Sequence, residues 1–146
     1  MAVRANPANA MAWWVLAHIE LYNGQYEQSY ATSLRGQRLA HGTNLQYWLD
    51  FQRSIAAAFC GRMDEAQLLC QSTSALRPEF RAALRFSVML HATANQTDLG
   101  ARAVRRLQAL EVGFSPERFV KDGDYPVGLF RRTQNYAPEK LLDLEF

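Results

Sequence analysis

The residues best suited to metal or nucleophilic chemistry are three histidines and two cysteines, and their spacing serves neither use. His18, His41 and His91 are dispersed, and Cys60 and Cys70 stand on separate helical stretches. A structural zinc site needs about four ligands at short spacings, so no metal is expected. Both cysteines are read as small packed hydrophobes, with Cys60, beside Gly61 and Arg62, as the one candidate reactive thiol. Asp64 and Glu65 open a helical stretch, where carboxylates favour the positive end of the dipole. Asp122 and Asp124 around Gly123 look like half a calcium loop, but the remaining ligands and the closing Glu are missing, so a turn is expected. There is no Gly-rich phosphate loop, HExxH, G-x-S-x-G or CxxC. The expectation is a non-enzymatic protein with no cofactor.

Charge and hydropathy exclude further classes. Sixteen basic residues against fourteen acidic give a net charge of +2, too balanced to imply a nucleic-acid partner. Arg102, Arg105 and Arg106, and later Arg131 and Arg132, cluster without interleaved aromatics, and Arg102 and Arg106 share a helical face. A solvated face is their simplest reading. The longest apolar run, Ala10 to Ala17, stops at His18, far short of the ~20 residues of a membrane span. The first ten residues lack the apolar core of a secretory signal, and two cysteines make no disulfide framework, so a cytoplasmic location is expected. At 146 residues, 49% hydrophobic and 21% charged, the composition is globular.

The elements that would position any site are helical. Apolar residues recur at helical spacing, and Gly and Pro fall between the periodic stretches. Helices are predicted over 9–22, 26–39, 45–60, 64–76, 79–93 and 98–111. Pro78 is expected in the first turn of the fifth, with Thr97 capping the sixth and Thr43 or Asn44 the third. Sliding the chain on itself exposes a repeat. Gly24, Gly61 and Asn95 mark turns at intervals of 37 and 34 residues, and Ser29, Ala66 and Gly100 follow at the same intervals. Ala17, Ser54 and Val88 precede them. Pro7, His41, Pro78 and Val112 mark the ends of units. Antiparallel helices at ~8–10 Å need small side chains where they cross, and Ala17 opposite Ser29, with Ser54 opposite Ala66, supply them.

This pattern resembles the tetratricopeptide repeat. Trp13, Leu16, Ala17, Gly24, Tyr26 and Ser29 fall where that family places its motif residues. The second unit keeps Ser54, Gly61, Met63, Ala66 and Pro78 but has Asp50 and Arg53 where the family has an aromatic and a leucine. The third departs further, at Val88, Asn95, Thr97 and Val112. The resemblance implies an all-α, right-handed α-solenoid of three helical hairpins (about 9–41, 45–78 and 79–112) within a domain 1–113. A capping extension, 114–146, follows. There Ser115-Pro116 starts a helix, Asp122-Gly123-Asp124 ends it, and a last helix begins at Pro138. Phe114, Phe119, Leu129 and Phe130 are expected to cover the last hairpin. More loosely, Leu76–Pro78, Ala83–Phe86, RLQALEVGF and SPERF resemble the C-terminal repeat regions of bacterial signalling proteins that carry cyclase or winged-helix domains.

Helical spacing in this register places Met11, Trp14, His18, Leu21 and Tyr22 on the inner face of the first hairpin. Trp48, Phe51, Ile55 and Phe59 follow on the second, and Ala82, Arg85, Met89 and Ala92 on the third. An apolar strip of this kind is a candidate groove for an apolar or amphipathic peptide or helix. Trp14, His18, Tyr22, Trp48, Phe51, Ile55, Phe59, Arg85 and Met89 are the candidate partner-binding residues. A second copy of the chain, further repeats upstream of it, or its own tail through Leu141, Leu142, Leu144 and Phe146 would cover the same strip. With Arg85 the one basic residue there, the groove does not suit the acidic chaperone termini that some members of the family clamp. The alternative role is a regulatory or dimerising segment of a larger bacterial signalling protein.

Overall fold

The computed structural model describes residues 7–123, 125–132 and 138–143. Among them every regular element is helical: α1 (Pro7–Tyr22), α2 (Tyr26–Ala40), α3 (Gln46–Phe59), α4 (Met63–Leu76), α5 (Arg81–Thr93), α6 (Thr97–Leu110), α7 (Pro116–Asp122), α8 (Val127–Phe130) and a 3-10 helix (Pro138–Asp143). Consecutive helices pack as hairpins, α1 on α2, α3 on α4 and α5 on α6. The chain divides into two compact units, Met1–Arg77 and Pro78–Phe146, so the division falls inside the stretch read as one repeat domain.

All three hairpin turns share one backbone geometry. Gly24, Gly61 and Asn95 have φ of 78°, 80° and 56°. The next residue's N–H reaches back five residues: Gln25 to the Glu20 carbonyl at 2.9 Å, Arg62 to Ala57 at 2.8 Å and Gln96 to His91 at 2.9 Å. The turn residue itself donates to Leu21, Ala58 or Ala92 at 3.1–3.2 Å. This is the Schellman closure, which satisfies the last carbonyls of a helix and requires a left-handed residue. Glycine meets that requirement without strain, and asparagine is among the few residues that tolerate it.

In the N-terminal unit the small residues meet where the repeat predicts. Ser29 Oγ donates to the Ala17 carbonyl and Ser54 Oγ to the Ala66 carbonyl, each at 2.7 Å. All four residues are fully buried. Packing of α2 on α3 joins the two hairpins, and Gly36 lets them approach closely. A Cβ there would lie 2.8 Å from Leu49 Cδ1 and 3.0 Å from Trp13 Cβ.

Asp50 and Arg53 take part in a polar clamp between α2, α3 and α4. Tyr30 on α2 donates to Glu65 on α4 at 2.8 and 3.0 Å. Arg53 on α3 pairs with the same carboxylate and donates to Gln37 Oε1 at 2.9 Å. Gln37 Nε2 in turn donates to Asp50 at 2.6 Å. Residues that would be wrong for an apolar seam are therefore each given a partner, as burial demands.

In the C-terminal unit the 3-10 helix lies against α5, and Leu141 is fully buried. Phe130 packs on Phe86 with ring centres 5.4 Å apart. The tail therefore packs against a helix of the third hairpin. Leu142 is exposed; Leu144 and Phe146 lie outside the described residues. Ser115 caps α7 by accepting from the Arg118 N–H at 3.3 Å, and Gly123 ends it at φ 70°. Asp124, the far side of that turn, lies outside the described residues.

Three cap assignments need correction. The N-cap of α3 is Leu45, not Thr43 or Asn44, although Thr43 Oγ1 does accept from the Leu45 N–H at 3.2 Å. Pro78 is not in the first turn of α5, which begins at Arg81 after an extended Phe80 (φ −78°, ψ 89°). Arg77, ahead of the proline, takes φ −134° and ψ 76°, because proline disfavours helical backbone in its predecessor. Thr97 is the first residue of α6, whose N-cap is Gln96.

Candidate functional site

The expected strip divides between interior and surface. Phe51, Ile55 and Phe59 are only 3%, 1% and 8% exposed, so the open wall expected of them is instead core of the N-terminal unit. Ten of the fourteen residues of α3 are buried, leaving that helix little face to present. Met89 in the C-terminal unit is fully buried. Arg85, also there, is engaged with Glu111 through two 2.8 Å hydrogen bonds from Nε and Nη2. A guanidinium held in this bidentate geometry locks the end of α6 to α5, and its charge is already answered.

Trp14, His18, Tyr22 and Trp48 remain partly accessible and are brought together. Trp14 stacks on His18 with centres 5.0 Å apart and meets Trp48 edge-on at 5.4 Å. His18 lies 5.3 Å from Tyr22, and Tyr47 extends the row at 5.8 Å from Trp48. Trp14 and Trp48 rest on a core of Ala10, Ala40 and Leu49. His18 Nδ1 donates to Gln52 Oε1 at 2.9 Å, fixing the imidazole against α3. The rings are thus held from behind rather than free to collapse.

Two surface residues were not among the predicted ones. Val15 and Ile19 are 46% and 53% exposed, beside Tyr22 at 39%. With Trp14, His18 and Asn23 they line a shallow hollow of about 380 Å³ along α1. The sequence signal was present. α1 has no acidic residue in its first turn and no basic residue in its last. Its one carboxylate, Glu20, is buried and accepts from Thr32 Oγ1 at 2.9 and 3.0 Å. A helix apolar on every side is ordinarily buried on every side. Here one side is open.

Among the described residues no group of His, Cys, Asp and Glu could hold a metal ion, and no helix is long and apolar enough to cross a membrane. Burial pushes the Cys60 thiol up to about 11, with Glu27 adding to the effect, so the thiolate needed for nucleophilic attack is scarce near neutral pH. Arg102, Arg105 and Arg106 are all exposed on α6. No family model matches the chain, and no curated protein or solved structure resembles it at a significant level.

Proposed function

We propose that this chain is a non-enzymatic interaction module. In this reading its hairpins form a right-handed tetratricopeptide-like stack with a C-terminal cap, and it binds an apolar or amphipathic helix. The observation that carries the proposal is the open side of α1, where Val15, Ile19 and Tyr22 stand exposed while the one carboxylate of that helix, Glu20, is buried. Exposed aromatic and aliphatic side chains held rigidly from behind lose little entropy on binding, which favours a docking surface. The shared turn and crossing geometry of the hairpins supports the repeat assignment. A cytoplasmic setting accords with Cys60 and Cys70, which form no disulfide. A dimerising segment of a larger bacterial signalling protein is the second reading, favoured by the same charge-free face.

The test uses a fluorescein-labelled model amphipathic helix with leucine at its a and d positions, titrated into the full chain. Saturable binding is expected, weakened at least ~10-fold by Ile19→Asp while helicity is retained. Absence of binding by the folded chain overturns the proposal.

A further inference from the structure

We propose that the open face of α1 is a self-association surface, through which two copies of this chain pair with their α1 helices antiparallel. This names the partner for the face described above and rests on that reading. Ala12, Val15, Ile19 and Tyr22 are all exposed and occupy one side of α1. Their spacing of three, four and three residues is that of the a and d positions of a two-helix seam.

Charge selects the occupant. The positions flanking this seam are Met11 and His18 on one side and Leu16 and Asn23 on the other. None is Lys, Arg, Asp or Glu. Paired helices ordinarily choose partners through complementary charges at these flanks, and like charges there exclude self-pairing. A seam without flanking charge fits a helix equally uncharged, and α1 itself is such a helix. Its one carboxylate is sequestered by Thr32 and takes no part.

Side-chain size selects the direction. With the two-fold axis level with Ala17, Val15 of one copy meets Ile19 of the other, and Ala12 meets Tyr22. Each small residue then faces a large one, at both ends of the seam. A parallel pairing sets Tyr22 against Tyr22 and Ala12 against Ala12, with crowding at one end and a gap at the other. The two-fold arrangement also closes at two copies. The alternative of seating α1 on the exposed Leu68 and Leu76 of another copy's α4 is heterologous and propagates. The seam is smaller than the ~800 Å² a side of a stable interface, so the dimer is weak and concentration-dependent.

Sedimentation equilibrium of the full chain from micromolar to millimolar concentration tests this. The average mass is expected to rise from 16.6 kDa toward twice that value and stop there. Val15→Glu and Ile19→Lys are each expected to be monomeric throughout, with helical content unchanged because both sites are exposed. Their equimolar mixture is expected to regain the dimer, since the antiparallel register sets the two substituted positions against each other. A wild-type monomer at millimolar concentration, a mass that grows beyond two copies, or a mixture that stays monomeric overturns the proposal. If the chain is monomeric yet binds the labelled model helix, the partner assigned here is wrong while the docking face stands. If it dimerises but dimer-free dilutions do not bind that helix, self-association stands and the broader reading fails.

Discussion

Ser54 Oγ and the Ala66 carbonyl oxygen meet at 2.7 Å where α3 crosses α4. One hairpin earlier, the equivalent crossing carries the same bond at the same length with the roles exchanged, from Ser29 on the second helix to Ala17 on the first. A hydroxyl on either helix does the same work, provided the residue opposite is small. Ser54→Ala should therefore cost only about 1 kcal/mol, the net value of one hydrogen bond. Ser54→Leu keeps the burial but drives the helices apart and should cost about 1–3 kcal/mol or more. Urea denaturation followed by circular dichroism distinguishes the two.

Gly36 reverses the usual rule for glycine in a helix. In an open position Gly→Ala would stabilise α2 by roughly 1 kcal/mol. Here the new methyl meets Leu49 Cδ1, which can swing aside, and Trp13 Cβ, which cannot move without its backbone. Gly36→Ala is expected to lower the melting temperature. A rise would show that α2 and α3 pack less tightly than described.

The core and the open face of α1 should respond oppositely to substitution. Phe51→Ala removes a ring that is 3% exposed and should destabilise the protein by about 3–5 kcal/mol. Ile19→Asp, at a half-exposed site, should leave stability within about 1 kcal/mol and abolish docking. Thermal melts alongside binding titrations of both variants measure the separation.

Acid should weaken the clamp at Glu65. Burial pushes this carboxyl upward, but the Tyr30 hydroxyl and the Arg53 guanidinium outweigh it and hold the group below its ordinary value. A carboxyl depressed in the folded state contributes stability that is fully present above the unfolded value, about 4.3. That contribution is lost as pH falls through the lower folded value. Glu65→Gln should therefore be less stable than wild type at neutral pH, with the difference shrinking in acid. Denaturation midpoints at neutral pH and near pH ~3 provide the check.

Much of the architecture was legible because its signals are local. All six repeat helices match their predicted spans to within a few residues, since apolar spacing and turn residues lie within each segment. The left-handed turns at Gly24, Gly61 and Asn95 were marked by residue type and interval alone. Burial was less legible. Helical spacing says which residues share a face, not what packs on that face, so Phe51, Ile55 and Phe59 were read as an open wall. Val15 and Ile19 were missed for a related reason: a helix apolar all round offers no polar side from which to infer its orientation. Asp50 and Arg53 read as defects in a motif because their partners Gln37 and Glu65 stand more than ten residues away.

The three Schellman turns also bear on how the chain acquires its structure. Each closes with hydrogen bonds spanning no more than five residues, and each joins two helices that pack directly on one another. Little chain must be gathered before such a pair is rewarded, so rapid, independent nucleation at any hairpin is expected. The 3-10 segment at Pro138–Asp143 is different, because it must find α5 across the stretch of chain that forms α6, α7 and α8. Stopped-flow refolding should accordingly show helix signal recovered first and burial of the tail last.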